Sequence, residues 1–524
     1  MIQGQVFGAE GEVPLAEATV VLYAADDRGN EHPRTARTDD RGEYEFSGLK
    51  AGKYLVQATR NGYLRQSYGE KTSSGSGRQV GTPLSLASDQ VLGGIDFELI
   101  RGGVVEGAVV DQHNEPRSQV PVTLCSYRTL RGERSLRPVR HDRTDDRGRF
   151  RLFDIPPGSY YLRADTPPVW GGSGEGDRAF PPTFYPGVLS PQDATKVEVA
   201  AGQEVGGFFF TLIETQTYSV GGRVLTADGK PAHTVWIRSR RESANTYVFG
   251  MEASANTNLQ GEFRVSGLLP GKHRIHARSG RNENPQMASA VVEVTDQDLE
   301  GLTLVLGAGA EIAGRIVTDR RDSDLDWRRI RLFMAPESSA NRGFFGGAGA
   351  RVEEDFTFKV ARLSEGAYRL IVWLPRGNYY VSSVRVEGHD VTDRPIELRS
   401  KDRLEGVEVQ VSSDGAQIRG VVQKDSAGEA VEGGTVLVFA ADSQKRGARS
   451  RFTKTAQTDQ SGRFSLEGLV PAEYRICALT DHEPGRESEL DYLSSLERDS
   501  DRIDLSPGQT VEESLVALPA AEVY

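Results

Sequence analysis

A 21-residue segment occurs five times in this chain without a gap, and it constrains the fold more than any other feature. It reads TDDRGEYEFSGLKAGKYLVQA from Thr38 to Ala58 and TDDRGRFRLFDIPPGSYYLRA from Thr144 to Ala164. It recurs as TNLQGEFRVSGLLPGKHRIHA from Thr257 to Ala277, VEEDFTFKVARLSEGAYRLIV from Val352 to Val372, and TDQSGRFSLEGLVPAEYRICA from Thr458 to Ala478. The copies start 106, 113, 95 and 106 residues apart. That period is too long for a solenoid unit of about 20–50 residues and fits an independent small domain.

Each copy has a physical reading. Asp-Asp-Arg-Gly is a tight turn, with Gly42 and Gly148 free to take positive φ. Tyr44 and Phe46 then alternate with Glu43 and Glu45, the period of a half-buried strand. A second turn, Lys50-Ala51-Gly52 or Pro156-Pro157-Gly158, leads into a second alternating strand carrying Tyr54, Val56 and Ala58 on one face.

The flanks repeat as well. About 34–38 residues upstream lies a glycine beside β-branched residues: Gly4-Gln5-Val6, Gly107-Ala108-Val109, Gly222-Arg223-Val224, Gly314-Arg315-Ile316 and Gly420-Val421-Val422. Each unit closes on an alternating apolar segment, such as Ile95-Asp96-Phe97-Glu98-Leu99. About seven short strands per unit, with turns every 8–12 residues, is the signature of an antiparallel β-sandwich. The expected fold is therefore all-β: five tandem immunoglobulin-like or prealbumin-like antiparallel sandwiches. The units are residues 1–102, 103–216, 217–310, 311–416 (the divergent copy) and 417–524. Joints such as Arg101-Gly102-Gly103 and Asp414-Gly415-Ala416 are short, which predicts restricted bending and an elongated arrangement.

The pattern G-x-V, P-L-x-x-A-x-V, T-D-x-x-G-x-[FY]-x-[FL]-x-x-L-x-x-G-x-Y-x-[LV]-x-A resembles the carboxypeptidase regulatory-like domain. That family has a prealbumin-like (transthyretin-like) β-sandwich and is related to Cna protein B-type domains. The likeness extends over all five units and is weakest in the fourth, which lacks the Thr-Asp and the Gly of the turn. The resemblance implies no chemistry of its own. In metallocarboxypeptidases such a domain sits behind the catalytic one, and tandem copies serve as stalks, spacers or adhesive modules of bacterial secreted, periplasmic and surface proteins. Related B-type domains form Lys–Asn isopeptide bonds beside a buried acid. The matching positions here, Ala58, Ala164, Ala277, Val372 and Ala478, are not acidic, so no such bond is expected.

Composition bears on partners. The net charge of −12 disfavours a general nucleic-acid binder, which needs a basic face. No run of 18 apolar residues is present, so no membrane-spanning helix is expected. Met1-Ile2-Gln3-Gly4 leads directly into a strand pattern with no signal-peptide features; a leader is taken to have been removed. Cys125 and Cys477 exclude a disulfide-rich scaffold and a four-cysteine zinc site. They fall in different units and are read as free thiols, Cys477 on the outward face of its strand.

No catalytic, cofactor or metal residue is assigned. The pairs Asp39-Asp40 and Asp145-Asp146 read as turn chemistry, with calcium as the alternative. Of the eight histidines only His273 and His276 are close, and on a strand they take opposite faces. The candidate ligand-binding residues are loop aromatics, Trp170, Phe184 and Tyr185 in the second unit and Phe344, Phe345, Tyr379 and Tyr380 in the fourth. They either stack on sugars and anchor partners or cap the sandwich ends. The function expected is a non-catalytic spacer or adhesive scaffold, extracellular, periplasmic or on the cell surface, with polysaccharide or an envelope protein as partner. The chain is expected to be a monomer or to self-associate weakly end to end. The alternatives are a carbohydrate-binding protein using those aromatics, an accessory regulatory part of a larger hydrolase, and a subunit of a β-domain fibre.

Overall fold

The computed structural model describes residues 1–519 apart from 12, 25–32, 71–80, 131–132, 166–177, 242–252, 280–285, 320–324, 338–347, 376 and 425–427. The described chain is almost wholly β, as the alternating pattern requires. Its buried apolar residues form five principal clusters, each confined to one copy of the repeat. They run from Ile2 to Leu99, Val105 to Leu212, Val220 to Leu306, Ala310 to Val411 and Ala416 to Ala517. The accessible surface is 27614 Å². One compact body of this mass would expose about 19,000 Å². The apolar surface is thus shared among several small cores.

The copies share one frame, to which repeat 4 adds the strand Tyr380–Val386 beside its closing strand. In repeat 3 the opening strand Tyr218–Leu225 pairs antiparallel with Glu262–Leu268 and parallel with the closing strand Leu299–Val305. A second sheet joins Trp236–Arg241 to Ser254–Asn256 and Gly271–Arg278, and Gly271–Arg278 to Met287–Val294, all antiparallel. The parallel opening–closing pair recurs in every copy; apart from it and one short parallel contact in repeat 5, the strands pair antiparallel. The two strands of the 21-residue segment lie in different sheets, and the turn between them crosses the core. In repeat 5 the sheets also touch edge to edge, Ala478 and Leu479 pairing with Ala517 and Leu518.

Several residues of the segment owe their recurrence to this crossing. Thr458 Oγ1 is buried, donates to Val431 O at 2.6 Å and accepts from Gly434 N at 2.8 Å. Thr38, Thr144 and Thr257 make the same two bonds in their own copies. The first Asp or Asn of the turn accepts two backbone N–H groups through Oδ1, at 2.8–3.0 Å in Asp39, Asp145, Asn258 and Asp459. At the crossing, the side chain four residues beyond a turn carbonyl reaches back to it. Tyr54, Tyr160 and Tyr474 donate to Lys50 O, Pro156 O and Val470 O at 2.6–2.8 Å. His273 Nε2 bonds Leu269 O at 2.7 Å, and Tyr368 bonds Ser364 Oγ at 2.9 Å.

The opening-strand glycine is fixed by close approach. A Cβ on Gly222 would lie 2.0 Å from Leu302 O, and one on Gly420 would lie 1.8 Å from Glu513 O. Repeat 4 lacks the turn glycine, yet Phe356 takes its place at φ 63° and keeps the bond from Ile316 N to its carbonyl at 2.8 Å. A non-glycine residue in that region costs about 1–2 kcal/mol.

The elongated arrangement read from the short joints does not hold for the chain as a whole. Repeat 5 returns to repeat 1: Ser85 N donates to Gln460 Oε1 at 3.2 Å, and Gln460 Nε2 to Ser85 O at 3.0 Å. Ser85 Oγ also donates to Asp459 Oδ2 at 3.3 Å. Repeat 5 touches repeat 2 where Thr129 bonds the Glu489 carboxylate. Short joints limit bending at each step, yet they do not keep the first and last repeats apart.

Candidate functional site

The loop aromatics separate into distinct groups. Trp170, Phe344 and Phe345 lie outside the described residues. Phe184 is corrected from ligand contact to packing: it is buried against Cys125 and Leu136. Tyr185 stands edge-on to Phe208 and Phe210, with centroids 5.2 and 5.8 Å away, and packs on the repeat 2 core. Tyr380 packs against the core of repeat 5 and serves the joint between repeats 4 and 5. Tyr379 packs on the core of repeat 4 and also borders a cavity of about 440 Å³ lined by Asp326, Arg329, Asn378 and Ser413.

That cavity sits beside the joint between repeats 4 and 5. Arg451 donates to Asp393 Oδ1 at 3.0 Å and to Val381 O at 2.8 Å. Arg449 donates to Pro336 O at 2.9 Å, and Gly415 N to Asn378 O at 2.7 Å. At the first joint Gly202 N donates to Arg101 O at 3.0 Å, and the Arg101 guanidinium lies 5.6 Å from the Tyr63 ring centre.

Other sequence candidates resolve into structure. Asp326 caps the short turn Trp327–Arg329, accepting from Arg328 N at 3.1 Å. Ala58, Ala164, Ala277 and Ala478 all point into their cores. His273 and His276 face opposite sides of strand Gly271–Arg278 and both are buried. Among the described residues no group of three His, Cys, Asp or Glu side chains has a metal-binding arrangement.

Cys477 requires a correction. Its outward parity is right, but the outer face of that sheet is covered. Leu437, Phe439, Cys477 and Leu479 pack under Tyr492, Leu493 and Leu496 of the helix Leu490–Ser495 and its end. Burial pushes the Cys477 thiol up to about 12, and the Cys125 thiol likewise. His482 anchors the covering segment, bonding Tyr492 OH through Nδ1 and Glu487 Oε2 through Nε2, both at 3.1 Å. Burial works against the Glu487 charge, yet the bonds from His482 and Gly485 N hold its pKa below the usual value.

Sequence reasoning missed the same face in repeat 3. Directly paired residues there are Trp236 with Arg278, Arg238 with His276, and Arg240 with Arg274. Lys272 extends the row opposite Glu293. The signal was present as arginines at alternate positions in Trp236–Arg241 and Gly271–Arg278, the spacing that places them on one face.

Residues 1–86 match the family model of the carboxypeptidase regulatory-like domain, the class that the repeated pattern resembles. Among solved structures, the Bacillus anthracis TIE protein aligns at 9% identity over 80% of this chain and 74% of its own, with a TM-score of 0.17. GBS52, the minor pilin of Streptococcus agalactiae, aligns at 13% over 41% of this chain and 95% of its own, with a TM-score of 0.23. BcpA, the major pilin subunit of Bacillus cereus, aligns at 12% over 58% and 98%, with a TM-score of 0.15. Superpositions at these TM-scores decide nothing about what this chain does. A comparison with curated proteins finds no match.

Proposed function

We propose that the chain is a non-catalytic scaffold of five prealbumin-like units, 1–102, 103–216, 217–310, 311–416 and 417–524, that holds binding surfaces at set positions outside the cytoplasm. The observation that carries this reading is direct bonding across the joints, above all Arg449 and Arg451 of repeat 5 on the backbone of repeat 4. A joint closed by one buried guanidinium, Arg449, and one half-buried, Arg451, fixes orientation, which a flexible tether would not do. The extracellular or envelope setting is supported by the resemblance of the repeats to modules of secreted and surface proteins. Small-angle scattering on the full chain tests the architecture. A five-lobed particle shorter than a straight string of units is expected; a scattering curve of freely jointed beads overturns it. A secretion leader in the native gene tests the compartment.

A second reading is favoured by the Tyr379 cavity. A tyrosine ring beside Asp326, Arg329 and Asn378 combines an apolar platform with several hydrogen-bonding groups, the makeup of a sugar site. A glycan array with the full chain and Tyr379→Ala is the check, and loss of a specific glycan signal in the variant is the expected result.

A further inference from the structure

The outer face of the second sheet in repeat 4 is apolar at the positions that repeat 5 keeps covered. The repeat aligns Val372 with Ala478. Strand register then sets Phe333 opposite Ile371 and Arg331 opposite Trp373, just as it sets Leu437 opposite Cys477 and Thr435 opposite Leu479. Phe333, Ile371 and Trp373 thus hold the places of Leu437, Cys477 and Leu479. In repeat 5 the helix Leu490–Ser495 buries that set and leaves Leu479 1% exposed. In repeat 4 Trp373 is 51% exposed, and it is the one large apolar side chain that this repeat leaves open among the described residues.

The Trp373 ring is held in place. It stacks on Phe333, with ring centres 5.8 Å apart and planes at 29°. It also stands at the rim of the Tyr379 cavity. The strand Gly366–Trp373 ends at this residue, and Pro375, two residues on, belongs to the cavity wall. Two residues span about 7 Å at most. Across the sheet, Arg331 lies two residues beyond Arg329, which lines the same cavity together with Asp326. Asp326 Oδ2 is 3.4 Å from Arg329 Nε, so the one acid and the one base of the lining form an ion pair.

We propose that Trp373 is a second sugar subsite beside that cavity, and that the ligand is a linear, neutral oligosaccharide of β-1,4-linked hexoses. The proposal rests on the reading of the Tyr379 cavity as a sugar site and extends it. An indole already fixed by Phe333 covers the C–H face of a pyranose without the cost of ordering a mobile side chain. A hexose with equatorial substituents offers two flat apolar faces, and a β-1,4 link keeps successive rings in one ribbon. A chain lying on the indole therefore carries its next sugars toward Asp326, Arg329 and Asn378, whose polar groups suit hydroxyls. The internal ion pair leaves no net charge to select an acidic sugar. A protein partner fits less well: a stable interface takes about 800 Å² from each side, and one tryptophan supplies about 250 Å² at most.

The test is isothermal titration of the full chain with cellobiose and cellohexaose, with maltohexaose as control. Cellohexaose should bind about tenfold tighter than cellobiose, and maltohexaose should not bind. Trp373→Ala should remove the gain with chain length, and Trp373→Phe, which keeps a ring on Phe333, should restore most of it. Hydrogen exchange across repeat 4 confirms that each variant is folded. Equal binding of cellohexaose by Trp373→Ala and the native chain overturns the subsite and leaves the cavity reading standing. Absence of cellohexaose binding overturns the proposal, and the glycan array then decides the cavity reading by itself. A dimer in light scattering that Trp373→Ala dissolves also overturns it, because a second copy would then occupy the face.

Discussion

Repeats 3 and 5 share a frame and treat the same sheet face in opposite ways. The inner positions match: Ile275 and Ala277 in one, Ile476 and Ala478 in the other, all buried. The outer positions diverge. Repeat 5 places Leu437, Phe439, Cys477 and Leu479 there and covers them with a helix; repeat 3 places Arg238, Arg240, Arg274 and His276. The frame needs one buried face only. The second face can then become a further small core or a charged surface without changing the strand order.

The largest expected effect separates the two faces. Phe439 is fully buried, so Phe439→Ala should cost about 3–5 kcal/mol. Arg238→Ala should stay within about 0.5 kcal/mol. Repeat 5 holds none of the four tryptophans, so hydrogen exchange on its peptides is the readout, not fluorescence. In Phe439→Ala, Cys477 should also start to react with a thiol reagent at pH 8, whereas in the native chain its raised pKa and its cover keep it inert. Equal losses in the two repeats would end the distinction.

The shared frame is the next target. Gly222→Ala and Gly420→Ala each push a methyl into a carbonyl of the closing strand, and both should cost about 1–3 kcal/mol or more. A tolerated substitution in one repeat alone would show that the frames differ. Thr257→Val and Thr458→Val remove a matched pair of buried bonds and should each cost about 1–3 kcal/mol.

Acid should act on repeat 3 first. His276 has a lowered pKa in the fold, so between about 6.5 and 4 the unfolded chain binds its proton more readily. Stability therefore falls as pH drops through that window and is regained as it rises. The expected loss is a few kcal/mol at most. Hydrogen exchange in repeat 3 at pH 7 and pH 5 reads it, and His276→Gln should flatten the slope.

The frame was legible in the sequence because it is repeated. Thr458, Gly462 and Tyr474 recur at fixed spacing, and each answers a local demand for a bond, a positive φ or a tether. Repeat 4 shows that the period carries more information than any single residue: with Val352 for Thr and Phe356 for Gly, it keeps the same pairings. The outer faces were less legible. Strand alternation marks Cys477 as outward, and only the packing of Leu490–Ser495, a segment outside the repeat, shows what lies over it. Phe184 was misread for a similar reason. Its loop position suggested exposure, while pairing with Gly158–Ala164 draws it down onto Cys125. The return of repeat 5 to repeat 1 depends on angles summed over four joints, which no short motif encodes.

That return has a mechanical consequence. The contact between Ser85 and the Asp459–Gln460 turn closes most of the chain into a loop with a few half-buried hydrogen bonds. Tension applied at the two ends would enter through repeats 1 and 5 and fall on this latch, and on the contact of Thr129 with Glu489, before it loaded repeats 3 and 4. The first extension under load is then a release of slack, with every repeat still folded. A protein built this way can lengthen under a light pull and recover when the pull ends, and the strands within each sandwich resist only after that reserve is spent.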